Sequence, residues 1–462
     1  MTEKQTINME DEFSGLDFNS SRLEKRFIRT METLFRHPNK SIWFCSENRA
    51  EAKAIYRMLG NESFEREEVL RAHREATIKR MVEYGGSILA VQDTCSLNYS
   101  SREKMEGIGY NSEKGLGVNI HSCLAVTTDG LVLGVLDQRS YTRDESTSPL
   151  SEYKKQLRAL EEKESYRWVK TFEASTACLP LGFKVITVCD REGDMYELLE
   201  IIDSSQGDSA GHLFLIRVAH NRMTIDNQRI VDALRKRQCM GRVEITIPRD
   251  SRKNMKERKG ILEIRYDRFD IKRPKLLGRD KTYKDSVAVW VIHAKEEEAP
   301  KGSEPIEWFL MTNEPIEDVK AAYERVCYYT QRWKIERFHY VLKSGCEVEK
   351  LQERSMDKTT LLVLMYSVIS VLILNLTYIA RVNPNVPCTV FFEEEEWQVL
   401  YCTANRTKKS PENPYSIQEA VTYLGWLGGP KRAPSDGPPG VKTIWVGLDK
   451  LYTLLAYREW LV

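Results

Sequence analysis

Between Thr359 and Ala380 the chain runs for 22 residues without a charge, TTLLVLMYSVISVLILNLTYIA. A segment this long and apolar must be shielded on every side, by lipid or by protein. At about 1.5 Å per helical residue it is long enough to cross a bilayer. Ser367, Ser370, Asn375 and Thr377 dilute it, and no second such run exists. The sequence therefore favours a central helix sheathed by a large fold, with no membrane partner. A chain of 462 residues can supply that sheath, and its length allows several domains.

Composition narrows the chemistry. The ten cysteines, from Cys45 to Cys402, include no C-x-x-C pair, and the seven histidines are dispersed. Free thiols in a reducing compartment and no structural zinc are expected. The first residues, Met1 to Gln5, are polar and lack the apolar stretch of a secretory signal. A cytoplasmic location follows as an expectation.

Charge is informative only by segment. The whole chain carries 69 Lys plus Arg against 68 Asp plus Glu, a net of +1. Residues 221–290 hold 20 Lys or Arg and 10 Asp or Glu, so their net is +10 and the remainder is −9. An excess of that size in seventy residues points to a polyanion partner. Within it Val243–Ile247 and Ile261–Arg265 alternate as strands do.

Patterning divides the chain in three. Residues 1–80 read as helices, Arg22–Phe35, Arg49–Leu59 and a longer one at Glu65–Tyr84, with "HPNKS" at His37–Ser41 breaking the first pair. The region carries Arg22, Lys25, Arg26, Arg29 and Lys40. Short apolar strands follow: Ser87–Gln92 ending at Asp93, Leu116–Val126, Leu131–Leu136, Lys184–Cys189 ending at Asp190, and His212–Val218. An Asp-Gly step at Asp129-Gly130 marks a hairpin between the second and third. Ser151–Ala177 reads as one long helix, and Asp194–Ile202 as another. After the apolar helix come an acidic helix start at Glu393–Glu396, a Gly/Pro loop at Gly428–Gly440 and a terminal helix at Thr443–Leu461. Gly107-x-Gly109 and Gly115-x-Gly117 are not phosphate loops, because neither opens a helix.

Two features carry chemistry. Asp93 and Asp190 each follow an apolar strand, at the sheet edge where α/β sites gather; a lone Asp there is more often a turn or cap residue. Tyr329, Arg332, Glu336 and Lys343, placed on one continuous helix at about 100° per residue, fall within about 60° of one another. That face presents a phenol, a guanidinium, a carboxylate and an ammonium, or else a surface of i,i+4 ion pairs.

The stretches "AVQDTCSLNY" (Ala90–Tyr99), "VCDREGDMY" (Val188–Tyr196) and "YTQRWKIERFHYVLKSG" (Tyr329–Gly345) resemble bacterial cut-and-paste DNA transposases of the insertion-sequence-four group, with the organisation of the transposon-five transposase. The last contains the group's Tyr-x2-Arg-x3-Glu-x6-Lys signature. "EKESYRW", "FLIRV", "EWFLMTNEP" and the tail Leu427–Leu451 support it. The resemblance covers roughly residues 20 to 460 and is thinnest in the first 80.

The resemblance implies an α/β fold: an RNase H-like mixed-sheet catalytic core with a β-rich insertion, flanked by helical N-terminal and C-terminal domains. Residues 1–80 would bind DNA, 81–385 would form the core with the basic insertion at about 221–315, and 386–462 would dimerise. It implies Asp93, Asp190 and Glu336 as the catalytic carboxylates and ligands of Mg²⁺, with Mn²⁺ substituting. Tyr329, Arg332, Lys343, Trp308 and Arg217 would contact DNA, Trp308 by stacking on a flipped base. Arg191 and Glu192 would orient the site. The activity implied is cleavage at terminal inverted repeats through a hairpin intermediate, then strand transfer of 3′ ends into target DNA by a homodimer. An inactive DNA-binding relic acting as a repressor, and a structure-specific nuclease on the same core, are the alternatives. Acid-only ligation suits a hard divalent ion.

Overall fold

The computed structural model describes residues 8–61, 64–112, 115–143, 159–180, 182–205, 211–247, 258–277, 283–300, 304–430 and 437–461. It is a mixed α/β structure that divides into two compact units, neither contiguous in sequence. One holds Met1–Gly86, Thr94–Ser146 and Lys334–Val462; the other holds Ser87–Asp93 and Thr147–Trp333.

The first unit begins with the expected helices. Ser21–Arg36 is capped by Ser20, which accepts from Leu23 N, and Arg49–Leu59 by Asn48, which accepts from Ala50 N and Glu51 N. Arg66–Tyr84 ends at Gly85, whose φ of +70° favours glycine. Phe13, Phe18, Phe27 and Phe64 meet edge-on or tilted beneath them, with centroids 4.8–5.9 Å apart.

Strand β1 (Ile88–Asn98) passes from the second unit into the first. In the first unit its end runs beside β3 (Leu116–Thr127), which also pairs with the short β2 (Gly109–Tyr110) and with β4 (Val132–Tyr141). The hairpin at Asp129-Gly130 forms as its sequence requires, with Gly130 at φ +97°. The uncharged run becomes the helix Met356–Val382, in which every residue from Thr359 to Ala380 is buried. Polar side chains along it are anchored: Ser367 Oγ accepts from Gln138 Nε2 at 2.8 Å and donates to Val363 O, and Asn375 Nδ2 donates to Val132 O at 3.0 Å. Protein, not lipid, covers this helix.

Three further helices close the unit: Glu394–Asn405, Ile417–Gly428 and Val441–Leu461. The last two touch backbone to backbone. A Cβ on Gly447 would lie 2.2 Å from Leu424 O, and one on Gly428 1.9 Å from Thr443 O. Gly447→Ala gains about 1 kcal/mol of helix propensity but must push the pair apart. We expect a net loss of about 1–3 kcal/mol in urea denaturation. A variant as stable as the parent would show that the two helices part freely.

In the second unit the start of β1 lies parallel to β5 (Val185–Cys189), which is parallel to β6 (His212–Arg217). The insertion forms four antiparallel strands, β7 (Gly241–Ile247), β8 (Arg258–Lys272), β9 (Ser286–Glu296) and β10 (Glu307–Thr312), and β10 joins them to β6. Trp168, Phe172, Leu198 and Ile202 from two helices pack with Phe214 and Ile216 as the core. The single helix expected at Ser151–Ala177 is shorter. Residues 151–158 lie outside the described residues, Leu160–Glu162 is one 3₁₀ turn, Lys163 is extended, and the α-helix is Tyr166–Thr176. Glu161 to Ser165 offer no apolar stripe to bury, so a helix there would have no face to pack.

Candidate functional site

Asp93 and Asp190 are brought together by strand register. Val91 of β1 pairs with Val188 of β5, and the strands are parallel. Each aspartate lies two residues beyond that pair, so both leave the sheet at the same end of neighbouring strands. Both are partly exposed. The expectation that the strand stops at Asp93 needs correcting, since β1 runs on to Asn98. Thr94 Oγ1 bonds to His121 Nδ1 at 2.8 Å and Ser96 Oγ donates to Asn119 Oδ1 at 2.6 Å, which hold the extension against β3. β5 does end where expected. Asp190 caps the 3₁₀ turn Arg191–Gly193 by accepting from Glu192 N at 2.9 Å. One carboxylate oxygen thus serves the cap, which fixes the side chain without exhausting its acceptors.

Beside them stands a cationic and aromatic cluster. Arg332 Nη1 lies 3.7 Å from Asp93 Oδ2. Tyr329 is buried at 4% exposure, and burial raises its phenol pKa against the opposing pull of Arg332 and Arg217. Arg217, the last residue of β6, is itself lowered by burial. The two guanidinium groups flank the phenol and gather positive charge next to Asp93 and Asp190. Trp308, on β10, is 6% exposed and packs edge-on against Tyr329 and Trp333, with centroids at 5.4 and 6.2 Å. At that exposure it presents little surface on which a base could stack.

The helix on which Tyr329, Arg332, Glu336 and Lys343 were expected to share a face is interrupted twice. The helix Val319–Thr330 ends in a turn whose bonds, Gln331 N to Tyr328 O and Arg332 N to Tyr329 O, are of i→i−3 type. A second helix, Trp333–Tyr340, follows and widens into a π-turn at Val341–Gly345. The assumed constant 100° step fails at both places. Glu336 is exposed on the second helix. Lys343 is engaged within the first unit, donating to Ser96 O at 2.9 Å and lying 3.3 Å from Glu349. Among the described residues, no three His, Cys, Asp or Glu side chains are grouped to hold a metal ion.

The basic insertion is more neutral than its sequence suggests. Asp194, Asp203, Glu296, Glu297 and Glu307, all outside residues 221–290, pair with Arg222, Lys284, Arg258, Arg242 and Arg235. Five of the ten excess charges are thereby offset. Asp194 and Glu296 are buried, so two of these pairs are internal.

The N-terminal helices present a clearer cationic surface. Arg49, Lys53 and Arg57 recur every four residues on the exposed side of their helix, with Tyr56 exposed between them. Trp43 and Phe44, 57% and 65% exposed, stand just before that helix. Arg29, one of the cations singled out in this region, is tied to Glu47 and Glu51. The i, i+4, i+8 spacing was the available signal for the other three. A second cationic group was also missed. Lys334 has its ammonium 3.3 Å above the Tyr378 ring, and its pKa is pushed down to about 7 by burial and by Arg381 and Arg337.

Two similarities to known proteins were found. Over 82% of this chain and 69% of the other, the chain is similar to piggyBac transposase in a cryo-EM synaptic complex with hairpin DNA, at 11% identity and a TM-score of 0.35. Residues 8–64, which include the Arg49–Lys53–Arg57 surface, match the family described as Transposase DNA-binding.

Proposed function

We propose that this chain is a DDE-type DNA transposase of the insertion-sequence-four group. The observation that carries the reading is the register of β1 and β5, which delivers Asp93 and Asp190 side by side with Arg332 next to them. The DNA-binding match at residues 8–64 supplies the substrate class. An RNase H-like core is supported by the order β4-β3-β1-β5-β6, in which β4 is antiparallel to β3 while β1, β5 and β6 are parallel.

Asp93, Asp190 and Glu336 are the residues that would hold Mg²⁺ or Mn²⁺. Their donor set suits a hard cation: oxygen only, with two carboxylates partly exposed and adjacent. When bound, the metal would activate the attacking oxygen and stabilise the leaving one in phosphoryl transfer. The chain's own part is positional. The Asp190 cap fixes one carboxylate, Arg332 screens the other, and Arg217 and Arg332 offer charge to a phosphate. In this reading residues 1–80 bind terminal inverted repeats, 81–385 cleave and join, and 386–462 hold a cytoplasmic, nucleoid-associated homodimer together. Cleavage would pass through a hairpin before 3′ ends join target DNA.

The test is incubation of the full chain with an end duplex from its own flanking DNA and Mg²⁺. Strand cleavage followed by joining is expected. Binding without nicking under any divalent ion points to a repressor, and cleavage without joining to a nuclease.

The N-terminal surface gives a separate prediction. The triple change Arg49→Ala, Lys53→Ala, Arg57→Ala should weaken duplex binding and flatten its salt dependence by about 0.9 log units for each phosphate no longer neutralised. An unchanged slope would assign DNA binding to another face of the segment.

A further inference from the structure

In the first unit, Lys334, Arg337 and Arg381 converge on one tyrosine. The Lys334 ammonium sits 3.3 Å from the centroid of the Tyr378 ring, and the Arg381 guanidinium carbon 5.4 Å from it. Arg337 acts electrostatically on both Lys334 and Tyr378. Arg337 and Arg381 are exposed, while Lys334 is partly covered and Tyr378 is 9% exposed. None of the three cations has an ion-pair partner among the described residues. Among the described residues Asp129 is the carboxylate that acts on Lys334, and Arg381 otherwise donates to Pro439 O at 3.4 Å.

Three like charges gathered against one acid repel. Tyr378 offsets some of this through its ring face. The remaining excess of positive charge, open to solvent through two guanidinium groups, suits an anion with several oxygens. Around the helix Arg337 lies about 60° from Lys334, and Glu336 lies about 160° from Lys334 and about 100° from Arg337. The cationic side of this helix is therefore turned from its proposed catalytic side. It is also separate in sequence from the DNA-binding match at residues 8–64.

We propose that Lys334, Arg337 and Arg381 form a second phosphate-binding site, which holds the backbone of duplex DNA outside the segment cleaved at Asp93, Asp190 and Glu336. The inference rests on reading the chain as acting on DNA. It does not require that cleavage occur.

The test uses the full chain, without metal, and a duplex of arbitrary sequence. Binding is measured between 50 and 200 mM salt for the parent, for Arg337→Ala with Arg381→Ala, and for Lys334→Met, which keeps the stem over Tyr378. The double variant should have a slope shallower by about 1.8, or about tenfold less change in affinity over that range. Lys334→Met should show at most half the effect, because its ammonium is only partly charged near neutral pH. Melting temperatures should not fall, because repulsion is removed. Slopes equal to the parent's would overturn the site. So would loss of tripolyphosphate binding with duplex binding intact, which would identify a small-anion site instead. Asp93→Asn provides the separation. If it abolishes cleavage and leaves the slope alone, both readings stand; if the parent never cleaves yet the double variant changes the slope, only the transposase reading fails.

Discussion

Alanine at Asp93, Asp190 or Glu336 is expected to reduce Mg²⁺-dependent strand cleavage by on the order of 10³-fold or more, with duplex affinity nearly unchanged. The three changes act on one function from different local structures, which makes the comparison informative. Asp93 sits inside a strand that continues to Asn98, so its removal breaks no cap and no turn. Asp190 also accepts from Glu192 N, so Asp190→Ala removes a cap as well. Asp190→Asn keeps an acceptor for that amide and should be equally inactive if charge is what matters. Glu336 is exposed and should be the least costly of the three to stability. Cleavage is read as product strands on a denaturing gel, and binding by mobility shift. Parental cleavage in any one variant would remove that residue from the triad. A loss of binding in step with cleavage would mean that the carboxylates serve the fold instead.

The elements that stood out in the sequence were those whose pattern has one physical solution. An uncharged 22-residue run must be enclosed, and the helix Met356–Val382 is enclosed. Alternation at Val243–Ile247 must present two faces, and β7 does so with a partner on β8. Asp-Gly between apolar runs must turn, and Gly130 takes the positive φ that allows it. The site was legible only in part, because spacing does not encode where a helix breaks. Nothing in "YTQRWKIERFHYVLKSG" announces the i→i−3 turn at Gln331-Arg332 or the π-turn at Val341–Gly345. Those breaks place Tyr329 in the core and tie Lys343 to Ser96 and Glu349. The charge sum over residues 221–290 misled for a related reason. Ion-pair partners such as Asp194 and Glu296 lie outside the counted window, and only the folded sheet brings them in.

The largest stability effect is expected at Glu12, which lies within the DNA-binding match. Its carboxylate is buried at 2% exposure, 2.5 Å from His73 Nδ1 and 2.7 Å from Arg80 Nη1. His73 Nε2 accepts from Val135 N, so its ring proton lies on the Nδ1 that faces Glu12. Arg80 also donates to Leu133 O. The network thus fastens the start of the chain to the helix Arg66–Tyr84 and to β4. Burial raises the Glu12 pKa, but Arg80 and His73 outweigh it and leave the group at about 2, below its ordinary 4.5. Because the folded pKa is the lower one, the contribution to stability is complete above pH 4.5 and is lost as pH falls through 2. A shift of this size corresponds to roughly 3 kcal/mol. Glu12→Gln leaves the partly buried Arg80 without its counter-charge and should cost about 3–5 kcal/mol. Chemical denaturation at pH 7 checks the cost, and a melting series from pH 6 to pH 2 checks its origin. The variant's curve should be flatter than the parent's over that range. A variant within about 1 kcal/mol of the parent, or one that keeps the parent's acid dependence, would place the source of acid sensitivity elsewhere. Duplex affinity of the same variant, measured well below its melting temperature, then separates two roles for the network. If affinity falls with the fold still intact, the network positions the DNA-binding segment; if affinity holds, it serves stability alone.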